Sequence, residues 1–263
     1  MLVDRDELEA MLSREGVVVV DTRQEDEYLT AHVPGAVRVD VTAWQQKGLE
    51  EGGLDDAEFW ANAIGDLGID NDTKVVVYGN SPTTAARVWW HLAYAGVRQV
   101  MLLDGGWNLW KVGGKPTEAD PTTPEPAEFE PKFDTSLLVT KEELKQKLAD
   151  PSDETIVLDT RSEGEYLGKD VRGSRGGHLP DAVHCEWSEM LDANGRFKSN
   201  EEIRQVVALR NIQPDATLVT HCQSGGRASL ELFALRMAGF ENAANFYGGW
   251  SQWSEDKEAP VEK

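Results

Sequence analysis

The chain contains itself twice. Residues 21–29, Asp-Thr-Arg-Gln-Glu-Asp-Glu-Tyr-Leu, return at 159–167 as Asp-Thr-Arg-Ser-Glu-Gly-Glu-Tyr-Leu, with seven of nine positions identical. Further on, His32-Val33-Pro34-Gly35-Ala36 is answered by His178-Leu179-Pro180-Asp181-Ala182. Gly105-Gly106-Trp107 with Trp110 is answered by Gly248-Gly249-Trp250 with Trp253. The offsets are 138, 146 and 143, so the second copy carries eight extra residues within Gly168 to Gly177. Three matches in order mark a tandem duplication of a unit of about 110–125 residues, not a short solenoid repeat. Each unit is long enough to bury its own core without disulfides or metals. Between the copies Lys115 to Ser136 holds Pro116, Pro121, Pro124, Pro126 and Pro131 among acids and threonines. Proline density without an apolar period predicts an extended linker. The expected organisation is therefore a domain over 1–117, a linker over 118–136 and a domain over 137–263.

Each copy reads as α/β. Val17–Val20 and Thr155–Leu158 are short β-branched runs, as are Val75–Tyr78 and Thr217–Thr220. Gln99–Leu103 and Ala243–Tyr247 make a third pair. Continuous apolar strands predict a mainly parallel sheet covered by helices on both faces. Thr84–Ala95 and Arg227–Ala238 have apolar residues at helical spacing and stop before Gly96 and Gly239. Asp6–Arg14 and Lys141–Ala149 read as opening helices.

Charge excludes several functions. Asp and Glu total 47 against 26 Lys and Arg, a formal charge of −21. Neither a nucleic-acid backbone nor an anionic membrane surface is an expected partner for such a chain. The acids are spread over both copies and the linker, so no single tail explains them. Such a surface suits either a halophilic protein, where salt screens self-repulsion, or simply an acidic cytosolic one. No apolar run approaches the length of a membrane helix, and no secretory signal is evident, so the expected location is the cytoplasm.

The two cysteines, Cys185 and Cys222, are too few for a disulfide framework or a cysteine zinc site, and the five histidines show no metal spacing. No metal and no organic cofactor is expected. One reactive thiol remains as the candidate chemistry. In Leu218-Val219-Thr220-His221-Cys222-Gln223-Ser224-Gly225-Gly226-Arg227-Ala228 a strand runs into a glycine-bearing loop and then a helix. Cys222 stands at the strand end, where open α/β sheets place ligands. Loop N–H groups, the helix N-terminus and Arg227 all favour a thiolate there. Cys222 and Arg227 are the candidate catalytic residues, and Gln223, Ser224, Gly225 and Gly226 the candidate anion cradle.

Here the sequence resembles the rhodanese family of sulfurtransferases, across both copies. The Asp-x-Arg, His-x-Pro and Gly-Gly-Trp motifs carry the resemblance together with the cysteine loop. It implies two tandem rhodanese-like domains with one catalytic cysteine, in the second. Gly79 stands where that cysteine would be in the first copy, so that copy is expected to be inert. The resemblance also implies a double displacement, in which a Cys222 persulfide forms from a small-molecule sulfur donor and passes its sulfur to a thiophilic acceptor. Cyanide, a cellular thiol, a thioredoxin-like thiol or a sulfur-accepting protein would serve. Related folds serve cysteine phosphatases, but those place five residues between cysteine and arginine. Here there are four, which favours a sulfane sulfur over a tetrahedral phosphate.

The donor is less constrained. Cys222-Gln223-Ser224-Gly225 matches neither the cationic loop of thiosulfate enzymes nor the Cys-Gly-Ser-Gly of 3-mercaptopyruvate enzymes. Thiosulfate is the expected donor and 3-mercaptopyruvate the alternative. Arg172 and Arg175, in the insert before His178, are candidates for holding the donor's anionic end, or else form a solvated loop. A non-catalytic binding module or sulfur carrier is the remaining reading. Cys185 lacks any nest and reads as structural. Asp159 and Arg161 recur as Asp21 and Arg23 in the copy without a nucleophile, which points to a structural pair.

Overall fold

A computed structural model describes residues 2–263. It divides into two units, the first ending at Asp134 and the second beginning at Thr135. In the first, β1 (Leu2–Val3), α1 (Arg5–Met11), β2 (Val17–Asp21), α2 (Glu25–Thr30), β3 (Val37–Arg38), α3 (Val41–Leu49), α4 (Ala57–Gly65), β4 (Lys74–Tyr78), α5 (Pro82–Ala95), β5 (Gln99–Leu103) and α6 (Gly106–Val112) follow in order. The second contains α7 (Lys141–Ala149), β6 (Ile156–Asp159), α8 (Glu163–Tyr166), β7 (Val183–His184), α9 (Asn200–Ala208), β8 (Leu218–His221), α10 (Gly226–Met237), β9 (Ala243–Phe246) and α11 (Gly249–Glu255).

The two sheets have one topology. The first runs β1-β5-β4-β2-β3 and the second β7-β6-β8-β9, with every pair parallel. The second sheet's counterpart of β1 has shrunk to a single parallel bridge, Leu138 to Asn245. In each sheet the chain leaves one central strand outward, returns to its other side and continues away. The order therefore reverses between β2 and β4, and between β6 and β8. Such a switch point splays the following loops apart and opens a crevice at the strands' carboxyl ends.

Both faces of each sheet are buried, which is why the strands read as unbroken apolar runs. In the first unit Val19, Val76, Tyr78, Met101 and Leu103 pack with Leu8 of α1 and with Trp107 and Trp110 of α6. The alternating residues Val20, Val75, Val77, Val100 and Leu102 are buried on the opposite face, where α5 lies against β4 and β5. In the second, Val157, Val219 and Phe246 pack with Leu144 of α7 and with Trp250 and Trp253 of α11. The other face meets α10.

The proline-rich stretch is extended and fastened to the first unit as far as Asp134. Glu118 forms an antiparallel bridge with His32. Ala127 N–H donates to the Gly65 carbonyl, Lys132 N–H to that of Ala95 and Asp134 N–H to that of Tyr94. Phe129 is buried. Among the described residues no helix is long and apolar enough to cross a membrane.

A candidate active site at the end of β8

Cys222 is the first residue after β8, at the switch point of the second sheet, and is 2% exposed. Its loop is held from behind by the start of α11. Trp250 N–H donates to the Cys222 carbonyl at 2.7 Å and Ser251 N–H to the Gln223 carbonyl at 3.0 Å. Ser229, through N–H and hydroxyl, binds the Gly225 carbonyl at 2.8 and 2.9 Å. Among the described residues no peptide bond is cis. In a trans peptide the N–H points opposite to the C=O. With these three carbonyls turned to α11 and into α10, the N–H groups of Gln223, Ser224 and Gly226 face the other way. The first N–H groups of α10 have no carbonyl a turn below them. The loop is thus a nest at a twelve-residue helix's positive end, carrying the thiol.

Two glycines make the clamp possible. Gly225 has φ +87° and its α-carbon is covered by the Tyr247 ring. Gly249 has φ +55°, and a Cβ there would fall well inside van der Waals contact of the Cys222 carbonyl. Gly249→Ala therefore meets both a left-handed backbone penalty and a displaced loop. We expect a loss of about 1–3 kcal/mol in stability and at least about a tenfold loss in alkylation rate of Cys222. Thermal melting and iodoacetamide kinetics measure the two.

Arg227, in the first turn of α10, interacts with both Cys222 and Glu165. Burial pushes its guanidinium down, but hydrogen bonds to Glu165 and the charge of Cys222 more than reverse this. Nη1 donates to Glu165 Oε2 at 2.6 Å and Nη2 to Oε1 at 3.0 Å. The fork fixes the cation's plane beside the thiol. Glu165 is presented by a local device. Ser162 and Glu165 form the capping box of α8, so the four-residue helix holds that carboxylate in place. Burial pushes Glu165 up, and Arg227 more than offsets it, to about 2 from the ordinary 4.5. A carboxyl depressed by folding stabilises above its unfolded value and loses that contribution as pH falls. Acid unfolding should therefore draw on this pair between pH 4.5 and about 2. Glu165→Gln should flatten that window, as read by tryptophan fluorescence against pH.

Arg172 stands near the same carboxylate, with Nε 3.7 Å from Glu165 Oε1 and its side chain 65% exposed. It is an exposed cation at the rim of the Arg227–Glu165 pair. Arg175 is differently employed. Its guanidinium donates to the carbonyls of Trp253, Ser254, Asp256 and Ala259, closing the end of α11. Its own carbonyl accepts from Trp250 Nε1. The amide oxygen of Gln223 is buried without a hydrogen bond among the described residues.

Beneath the loop lies a buried ionic pair. Arg161 Nε lies 2.9 and 3.1 Å from the two oxygens of Asp159, and Nη2 lies 2.5 Å from Oδ2. Nη2 also donates to the Gly177 carbonyl, and the guanidinium carbon sits 4.4 Å from the Trp250 ring centroid. Burial pushes Asp159 up, and the charges of His221 and Arg161 with the Arg161 hydrogen bonds more than reverse it. Burial lowers His221 to about 4. At neutral pH, above that value, the His221 ring is uncharged and Arg161 is the cation paired with Asp159. Asp21 and Arg23 repeat the pair in the first unit, with Arg23 3.9 Å from the Trp107 ring centroid.

Cys185 is fully buried, and burial with the nearby Glu231 pushes its thiol well up. A thiol held protonated in this way is a poor nucleophile at neutral pH.

The first unit keeps the clamp but has Gly79 where the second has Cys222. Trp107 N–H donates to the Gly79 carbonyl at 3.0 Å, as Trp250 does to Cys222. Thr84 stands where Arg227 stands in the second. Glu27, the counterpart of Glu165, is taken by the Asn80 amide.

Sequence reading singled out Cys222, its loop and Arg227 as candidates and saw no pairing for Glu165, which the structure joins to Arg227. Its signal was present in the capping-box spacing Ser162-x-x-Glu165, echoed at Gln24 and Glu27.

A strand-end cysteine in a clamped nest, on the second of two parallel sheets of one topology, defines the class. The rhodanese-like domain family matches residues 4–112 and 140–256, and the chain belongs to that family, with two copies of the domain. The thiosulfate sulfurtransferase of Bos taurus is 34% identical over 235 residues, covering 86% of this chain and 78% of the bovine one. The putative thiosulfate sulfurtransferase of Haloferax volcanii is 32% identical over 256 residues, covering 94% and 87%. Among solved structures, the anaerobic ergothioneine biosynthesis enzyme from Chlorobium limicola, in complex with its natural substrate trimethyl histidine, superposes with a TM-score of 0.87. It is 25% identical, over 100% of this chain and 70% of that one.

Proposed function

We propose that this chain transfers the outer sulfur of thiosulfate to a thiophilic acceptor through a persulfide on Cys222. The observation that carries the reading is the buried Cys222 in a nest whose carbonyls are turned away, with Arg227 beside it. The names of the relatives support the donor.

In the first step the Cys222 thiolate attacks the outer sulfur of thiosulfate. A Cys222–S bond forms, the sulfur–sulfur bond of the donor breaks, and its electron pair leaves with sulfite. The product is a Cys222 persulfide anion. In the second step a nucleophile, cyanide or a thiolate, attacks the outer sulfur and departs with it, returning the thiolate. Splitting the transfer predicts ping-pong kinetics. The loop N–H groups and the positive end of α10 stabilise the anionic sulfur in both states, and they are preformed, so no reorganisation is required. Arg227 adds a full charge. Because Glu165 already holds its fork, Arg227 stabilises the sulfur without leaving it for the donor. Arg172 then remains as the exposed cation for the sulfonate end.

Ser224 in the loop favours 3-mercaptopyruvate as a second reading. The deciding experiment is intact mass after incubation with each donor. Faster gain of one sulfur atom from thiosulfate supports the proposal, and faster gain from 3-mercaptopyruvate replaces the donor. No gain from either moves the chain to the binding-module reading.

A further inference from the structure

Each copy places a threonine directly after the aspartate that ends its central strand, Thr22 after β2 and Thr160 after β6. Both are buried. Each donates its N–H to the last carbonyl of the neighbouring strand, Thr22 to Tyr78 and Thr160 to His221, both at 2.9 Å. Each is thus anchored beside the residue that follows that strand, Gly79 in one copy and Cys222 in the other.

The two hydroxyls differ. Thr22 Oγ1 donates to the Tyr78 carbonyl at 3.0 Å. It lies where a side chain at position 79 would begin, since a Cβ on Gly79 would fall well inside its van der Waals contact. Cys222 has the Cβ that Gly79 lacks. In the second copy Thr160 Oγ1 has no strand carbonyl and no hydrogen-bond partner among the described residues, although Thr160 is 0% exposed. A buried hydroxyl left without a partner is costly. In the second copy the residue that follows the strand carbonyl bound by Thr160 is Cys222, which starts its side chain at the position equivalent to a Cβ on Gly79. A neutral thiol is a weak acceptor, whereas a thiolate is a strong one.

We propose that Thr160 is a further catalytic residue, whose hydroxyl donates a hydrogen bond to the Cys222 sulfur when that sulfur is charged. The bond is made before attack on the donor and again when the acceptor has taken the outer sulfur. The inference rests on Cys222 being the nucleophile, but not on which donor it uses. In the structure the Thr160 hydroxyl makes no hydrogen bond, to sulfur or to any other atom among the described residues, and the proposed bond is the one it gains when Cys222 ionises.

The test compares the full chain with Thr160→Val and Thr160→Ser. Three quantities are read: iodoacetamide alkylation of Cys222 against pH, the rate of sulfur gain from thiosulfate, and the melting temperature. Valine keeps the shape and removes the donor. We expect Thr160→Val to alkylate about tenfold more slowly at neutral pH, the loss of about one charged hydrogen bond. Its melting temperature should hold or rise, because an unsatisfied buried hydroxyl is gone. Thr160→Ser should recover wild-type rates. Alkylation of Thr160→Val within about twofold of wild type, with raised stability, would overturn the proposal and leave the hydroxyl as a plain packing defect. Should the valine variant not fold, Thr160→Ala carries the same comparison. If wild type gains no sulfur from thiosulfate, the donor assignment fails while the alkylation comparison still decides on Thr160.

Discussion

Cys222→Ser should gain no sulfur from thiosulfate where the wild type gains one atom, and its turnover should fall by about four orders of magnitude or more. A covalent route has no partial form. Without the sulfur nucleophile neither step of the double displacement has a starting point, and a serine hydroxyl in the same nest stays protonated. The fold should not notice. Cys222 holds its loop through its carbonyl, which accepts from Trp250, and that bond is unchanged in the serine variant. The stability change should stay within about 1 kcal/mol, the range for a near-isosteric exchange away from cavities and unpaired charges. Residual sulfur loading on the variant would place the nucleophile elsewhere. Cys185, buried and beside Glu231, is poorly suited to take over.

The second large effect is on stability. Asp159→Ala should destabilise the second unit by about 3–5 kcal/mol, because it leaves the Arg161 guanidinium buried without its counter-ion. Arg161 is 1% exposed, and among the described residues its guanidinium keeps only the Gly177 carbonyl and the face of Trp250. A domain has about 5–15 kcal/mol in all, so the variant should unfold at markedly lower urea. The midpoint of the urea transition reads the effect. A shift worth under about 1 kcal/mol would mean that the remaining carbonyl and ring suffice for the cation. Loss of activity would follow from the unfolding, not from chemistry, since Asp159 reaches the loop only through Arg161 and His221.

Much of this fold was legible in the sequence because it was written twice. The β-branched runs became the central strands, and the glycine at position 79, opposite Cys222, was visible without any structure. The two-residue strands β1, β3 and β7 were not legible, since two residues carry no period and gain their order from a neighbour's ladder. The Arg227–Glu165 fork joins residues 62 apart in the chain, and no local pattern announces such a pair. Arg175 was read from its neighbourhood as a ligand candidate. The carbonyls it closes lie some 80 residues downstream, too far for any local pattern to join them to Arg175.

The pair of threonines has a consequence for how a duplicated enzyme ages. Where position 79 is glycine, the Thr22 hydroxyl falls back onto the strand and closes a hydrogen bond. Where position 222 is cysteine, the equivalent bond stays open. A cysteine at this position therefore goes with an unpaired threonine hydroxyl, and a glycine lets that hydroxyl pair. Exchange of cysteine for glycine runs downhill at this spot, and the reverse exchange runs uphill. The first half of the chain is the resting shape of the frame, and the second half is the same frame kept under tension.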